Sequence, residues 1–197
     1  YITSGPLTFN GGTHTLTINE GCTFTGDILI KGGAQVTING KGTIRGTGQG
    51  SVIIVEGKAD GTKLTFDGPT VTGGTGSVIP SVSKWTIWGK VGGGILVCRA
   101  KGNQNTKVAA LEFKSGTIQG NTANAGAGIF IDYRCGFTMT GGSILNNETK
   151  AWEGTPPQET FADGKAHEGG GIFFWGNWNG KSGNASSNYG HITGGEI

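Results

Sequence analysis

Phe137-Thr-Met-Thr-Gly-Gly-Ser-Ile144-Leu-Asn-Asn147 repeats the pattern of Leu111-Glu-Phe-Lys-Ser-Gly-Thr-Ile118-Gln-Gly-Asn121, with 26 residues from one isoleucine to the next. Leu64-Thr-Phe-Asp-Gly-Pro-Thr-Val71 and Val36-Thr-Ile-Asn-Gly-Lys-Gly-Thr-Ile44 are earlier copies, 27 residues apart at their last apolar residue. A second cell, Gly92-Gly-Gly-Ile95-Leu-Val97, returns as Gly126-Ala-Gly-Ile129-Phe-Ile131 and Gly169-Gly-Gly-Ile172-Phe-Phe174. Within each copy the apolar residues alternate over three to five positions before glycine, asparagine or aspartate intervenes. That is the pattern of a short strand ended by a tight bend. Three such strands fill one period, which predicts a parallel β-solenoid whose successive turns lie about 4.8 Å apart. Bends stacked turn upon turn leave little lateral room and require backbone angles that a side chain disfavours, so glycine recurs there. A β-sandwich, with longer strands and hairpins, gives no such echo.

Composition agrees with an all-β chain. Of 197 residues, 41 are glycine, about three times the usual share of roughly 7%. Only 14% are charged, and 25 threonines favour pleated strands over helix. The glycines lack the period of three that collagen requires, and the apolar residues suffice for a core. The repeat predicts Ile95, Ile118, Ile129, Ile144 and Ile172 inside, each stacked on like residues of adjacent turns. Asn121 and one of Asn146 or Asn147 follow Ile118 and Ile144 at similar offsets, which suits an internal amide stack. Insertions relative to the repeat are expected at Cys98–Lys107, Glu148–Glu168 and Trp175–Gly190, the second centred on Gly154-Thr-Pro-Pro157. No composition break divides the chain, so residues 1–197 read as one domain, a segment of a larger protein. The expected repeat is cut in mid-turn at both ends, which predicts either further turns or head-to-tail self-association.

The formal charge of +2 is dispersed, which excludes an electrostatic footprint for nucleic acid or anionic lipid. No apolar run approaches the roughly 20 residues of a membrane span. Cys22, Cys98 and Cys135 are odd in number and lack a CxxC pair, so they define no disulfide scaffold. His14, His167 and His191 are scattered, with no cysteine at ligand spacing, and neither a metal nor a cofactor is expected. No catalytic residue is assigned. Asp132-Tyr133-Arg134 is the one compact charged group, and Asp132 with Arg134 reads as a surface ion pair. Glu153, Glu159, Asp163 and Glu168 share the longest insertion, where glycosidase chemistry would need two carboxyls about 5–9 Å apart. Thr-x-Thr steps such as Thr23-Phe-Thr25 and Thr70-Val-Thr72 skip turns in the repeat and are mixed with Lys31, Glu112 and Lys114, so they read as ordinary outward strand positions; an ice-binding face would need them on many consecutive turns.

Aromatic residues carry the binding expectation. Trp85, Trp88, Trp152, Trp175 and Trp178 all fall after residue 84, and the last three lie in or beside insertions. Flat rings on loops stack on sugar faces or anchor protein interfaces, or else plug an insertion against the solenoid wall.

The succession of Phe-Thr-Met-Thr-Gly-Gly-Ser-Ile-Leu-Asn-Asn and Gly-Gly-Gly-Ile-Phe-Phe resembles the Gly-Gly-x-Ile repeats of large bacterial surface proteins. These include adhesin-like right-handed β-helix proteins and the polymorphic outer membrane protein adhesins, whose Phe-x-x-Asn tetrapeptide occurs here as Phe174-Trp-Gly-Asn177. The resemblance implies a secreted or surface-attached, right-handed parallel β-helix, of about seven turns by the repeat count. Its expected role is non-enzymatic adhesion or filament assembly, with a glycan or a host or neighbouring-cell surface protein as partner. The alternative is a polysaccharide-active β-helix lyase or hydrolase. The Asn-Thr-Asp, Asp-Asp, Gly-His-Gly and Arg-Ile-Lys motifs of galacturonan hydrolases do not occur.

Overall fold

The computed structural model describes residues 5–57, 61–79, 89–100, 108–151, 169–175 and 189–197. Among them there is no helix. In chain order the strands are β1 (Leu7–Asn10), β2 (Thr13–Ile18), β3 (Thr23–Thr25), β4 (Ile28–Lys31), β5 (Gln35–Gly40), β6 (Thr43–Arg45), β7 (Ile53–Gly57), β8 (Thr62–Thr72), β9 (Ile95–Arg99), β10 (Ala109–Gln119), β11 (Thr122–Ala123), β12 (Ile129–Ile131), β13 (Gly136–Met139), β14 (Ser143–Leu145), β15 (Glu148–Thr149), β16 (Ile172–Phe174) and β17 (Tyr189–Ile192). Their pairings are all parallel.

Two sheets result. A six-stranded sheet runs β1-β4-β7-β9-β12-β16, and a nine-stranded sheet has β2-β5-β8-β10-β13-β17 as its path, with β3, β6 and β14 attached. β8 and β10 are long enough to serve two neighbours each: β5 and β13 pair with their first halves, β6 and β14 with their second. The chain leaves one sheet, crosses to the other and returns one strand further along. Parallel neighbours must be connected by such crossovers, since a two-residue hairpin reverses direction.

Register converts the sequence repeat into apolar columns, three of which hold the isoleucines of the repeat or their counterparts. Leu7, Ile28, Ile53, Ile95, Ile129 and Ile172 are aligned across the six-stranded sheet. Leu16, Ile38, Phe66, Phe113, Met139 and Ile192 are aligned across the nine-stranded one. Phe24, Ile44, Val71, Ile118 and Ile144 form the third column. One core cluster spans all three. Ile95, Ile118, Ile129 and Ile144 are buried as the repeat requires; Ile172, at the end of its column, is only partly covered.

The Gly-Gly-Gly-Ile cell has a steric cause. Its first glycine is left-handed at Gly92, Gly126 and Gly169 (φ 61°, 56° and 64°), and a Cβ at Gly126 would lie 2.5 Å from the Ile129 carbonyl oxygen. Its third glycine stacks on the next copy, so a Cβ at Gly94 would lie 2.6 Å from Gly128 O. The middle position accepts Ala127.

Amides brace the corner that follows. Asn121 Nδ2 donates to Asn147 Oδ1 (3.0 Å), Asn121 Oδ1 accepts from Gly74 N (2.9 Å), and Asn147 Nδ2 donates to Ile118 O (2.8 Å). The stack therefore uses Asn147, while Asn146 takes a left-handed backbone (φ 53°).

Two sequence readings are corrected here. Cys98 and Arg99 belong to β9, and Glu148 and Thr149 form β15 beside β11, so the inserted stretches begin later than the repeat count places them. Outward threonines also align without skipping: Thr23, Thr43, Thr70, Thr117 and Ser143 are consecutive across the sheet, because turns of unequal length still return the strands in register. The adjoining rank is broken by Arg45 between Thr25 and Thr72.

Replacing Ile129 with Asp places an unpaired charge in a buried apolar column and is expected to lower unfolding free energy by about 3 kcal/mol or more in urea titration. Gly128→Ala is expected to cost about 1–3 kcal/mol through overpacking, and Thr138→Ser less than about 0.5 kcal/mol. An unchanged midpoint for Ile129→Asp would refute the column.

Candidate functional site on the outer face of the six-stranded sheet

Side chains alternate across a strand, so the middle residue of each Ile-x-(Val/Ile/Phe) triplet points away from the core. In the six-stranded sheet those residues are Leu29, Ile54, Leu96, Phe130 and Phe173, aligned in register. They are apolar, where an outer face exposed to water would be polar. Leu96 and Phe130 are buried in a second cluster with Ile79, Val91, Cys98 and Ala125, and Ile54, Phe173 and Trp175 pack against it. The Phe130 and Phe173 rings stack with centroids 5.4 Å apart. Bridges from Val91 to Ser77 and Ala125 tie the covering segments together.

Trp175 extends β16 by one residue, its amide donating to Ile131 O at 2.8 Å, and its half-buried ring lies against this cluster. Of the five tryptophans expected to bind, this one is placed on the wall. Trp85, Trp88, Trp152 and Trp178 lie outside the described residues, as do Glu153, Glu159, Asp163, Glu168 and His167.

A charged node closes the same face at the carboxyl ends of β9 and β12. Asp132 is fully buried and does not pair with Arg134 as the sequence suggests; its partner is Arg99, whose Nε donates to Oδ2 at 3.0 Å and Nη2 to Oδ1 at 3.4 Å. The amides of Arg99 and Tyr133 donate to the same carboxylate at 3.2 and 2.8 Å. Parallel register brings β9 and β12 side by side, whereas residues 132–134 form a turn in which Arg134 is left-handed (φ 65°) and directed elsewhere. Both guanidiniums contact the Tyr133 ring, Arg99 at 5.1 Å and Arg134 at 4.9 Å from its centroid. Such a node is closed: the carboxylate is saturated by donors, leaving it poorly suited to general-base work.

Cys98 and Cys135 flank the node, both buried, while Cys22 is exposed. Burial, reinforced by the Asp132 charge, pushes both buried thiols well above the ordinary thiol value. On the nine-stranded sheet the outer face is polar, as at Lys63 Nζ, which lies 2.8 Å from Glu112 Oε2. That hydrogen bond from Lys63 holds the Glu112 carboxyl below its usual value. Among the described residues no three His, Cys, Asp or Glu side chains are grouped to hold a metal, and no helix is long and apolar enough to cross a membrane. The chain has no significant match among protein-family models, curated proteins or solved structures.

Arg99→Met leaves Asp132 buried without its counter-charge and is expected to cost about 3–5 kcal/mol, much of it recovered when Asp132→Leu is added. Urea unfolding of the two variants measures this. If Arg99→Met alone is neutral, the node does not hold the corner. Neutral buried thiols stabilise the fold below the ordinary thiol pKa of 9.0, and that contribution is lost as pH rises above it. Unfolding free energy is therefore expected to fall above about pH 9, less steeply in Cys135→Ala. In the folded chain at pH 8 a thiol reagent is expected to modify Cys22 quickly and the other two only on unfolding.

Proposed function

We propose that the chain is a right-handed parallel β-helix of about seven turns, one domain of a larger bacterial surface protein exposed outside the cell. It acts without catalysis, displaying aromatic-bearing loops for adhesion or surface assembly. One observation carries the reading: outward apolar and aromatic residues concentrate on one sheet. The nine-stranded sheet turns mainly hydroxyl, amide and charged groups outward and takes up no insertion between β5 and β6 or β13 and β14 beyond a tight bend. Concentrating variation on one side of a repetitive scaffold is how solenoids build binding surfaces. The resemblance of the Gly-Gly-x-Ile cells to adhesin repeats supports the surface location, and the donor-saturated Asp132 supports a role without chemistry.

The partner class favoured by Trp175, Phe173 and the tryptophan-bearing stretches is a glycan, whose flat sugar faces stack on rings. Retention of the chain on a panel of immobilised glycans, with the eluate analysed for shortened products, tests this. Retention without product is expected, weakened about tenfold by Trp175→Ala and unaffected by Thr138→Ala. Retention on none of the glycans removes the carbohydrate reading, and release of oligosaccharides would install the polysaccharide-active alternative in its place.

A further inference from the structure

Three consecutive rungs bring cations and aromatic rings together where β9, β12 and β16 stop. Arg99 closes β9, Asp132-Tyr133-Arg134 follows β12, and Trp175 follows β16. The register of β12 with β16, carried on by the Trp175 amide bond to Ile131 O, sets Trp175 beside Asp132 and one residue from Tyr133. Arg99 and Trp175 stand two rung spacings apart, about 10 Å. Among the described residues this corner holds two guanidiniums, both on the Tyr133 ring, and one carboxylate. A guanidinium has five N–H donors. Asp132 takes two of them from Arg99, at Nε and Nη2, and the Arg99 side chain remains 13% exposed. Tyr133, Arg134 and Trp175 are each partly exposed. Arg134 is held there at a conformational cost, since its φ is 65° and Asn146 is the only other non-glycine described with positive φ. Glycine would relieve that strain, and side chains kept in spite of it cluster at ligand contacts.

We infer that this corner binds an acidic glycan, with a sugar face on the Trp175 ring and a uronate carboxylate on the Arg134 guanidinium, Arg99 adding charge from the neighbouring rung. This rests on the glycan reading above and names the class of glycan. A guanidinium fork matches a carboxylate bidentately, and an aromatic ring takes the apolar face of a sugar. Tyr133 orients the fork: the Arg134 guanidinium lies 4.9 Å from its ring centroid, and Nη2 donates to the phenolic oxygen at 3.4 Å. The two parts act differently. The ring contributes to the binding of any sugar, whereas the cations contribute only to a charged one, and salt screens their share.

The test compares retention of the 197-residue chain on immobilised polymannuronate and on β-1,4-mannan, which share a backbone and differ in the carboxylate. Wild type is expected to bind polymannuronate about tenfold more tightly at about 0.1 M salt, with the difference closing toward about 1 M. Arg134→Met is expected to abolish that tenfold preference and leave mannan retention unchanged. Arg134→Lys falls between, because an ammonium lacks the fork. Trp175→Ala weakens retention on both polymers about tenfold. Urea unfolding of each variant shows that it is folded; where one is not, the salt dependence of wild type on the two polymers decides. Equal wild-type retention on both polymers at low salt overturns the acidic class and leaves the glycan reading standing. Undiminished polymannuronate retention in folded Arg134→Met overturns the assignment to this corner. Retention on neither polymer overturns the inference, and the glycan reading falls with it only if the wider panel retains nothing.

Discussion

The structure depends on one constraint: each strand must hydrogen-bond to a strand of the same direction one period away, with side chains in register. Parallel pairing in register fixes the distance between successive periods and aligns like residues, so a preference expressed once in the sequence is expressed in every copy. The isoleucine column from Ile28 to Ile172 and the paired amides of Asn121 and Asn147 follow directly. So does the demand for glycine, because a bend stacked on an identical bend has backbone where a Cβ would go, as at Gly94 against Gly128.

Where the constraint applies to both faces of a strand, the sequence reads differently. Ile95-Leu-Val97, Ile129-Phe-Ile131 and Ile172-Phe-Phe174 are apolar at three consecutive positions, while Val36-Thr-Ile38 and Leu111-Glu-Phe113 alternate. A continuous run is the signature of a strand covered on both sides. That signal for the outer cluster around Phe130 was present in the sequence. The repeat alone identifies the inward positions of both kinds of strand and does not separate them.

The Arg99–Asp132 pair was not legible, for a reason of distance. Proximity in sequence favours Arg134, two residues from Asp132, yet a turn with a left-handed residue directs these side chains apart. Register brings Arg99 to the carboxylate across 33 residues that include an insertion of irregular length. Insertions erase the numerical period that otherwise tells which residues are neighbours. The aligned column Thr43–Thr70–Thr117 was obscured in the same way, since 27 and 47 residues separate members that are adjacent in space.

The direction of the ladder bonds has a mechanical consequence. Strands lie across the long axis of the stack, so the hydrogen bonds and the contacts between column members lie along it, and a pull on the two ends loads them in tension one rung at a time. A repetitive fold with nearest-neighbour coupling then yields in steps. Each released period of 26 residues pays out up to roughly 90 Å of extended chain. Under load such a molecule would lengthen gradually while its remaining rungs stay folded.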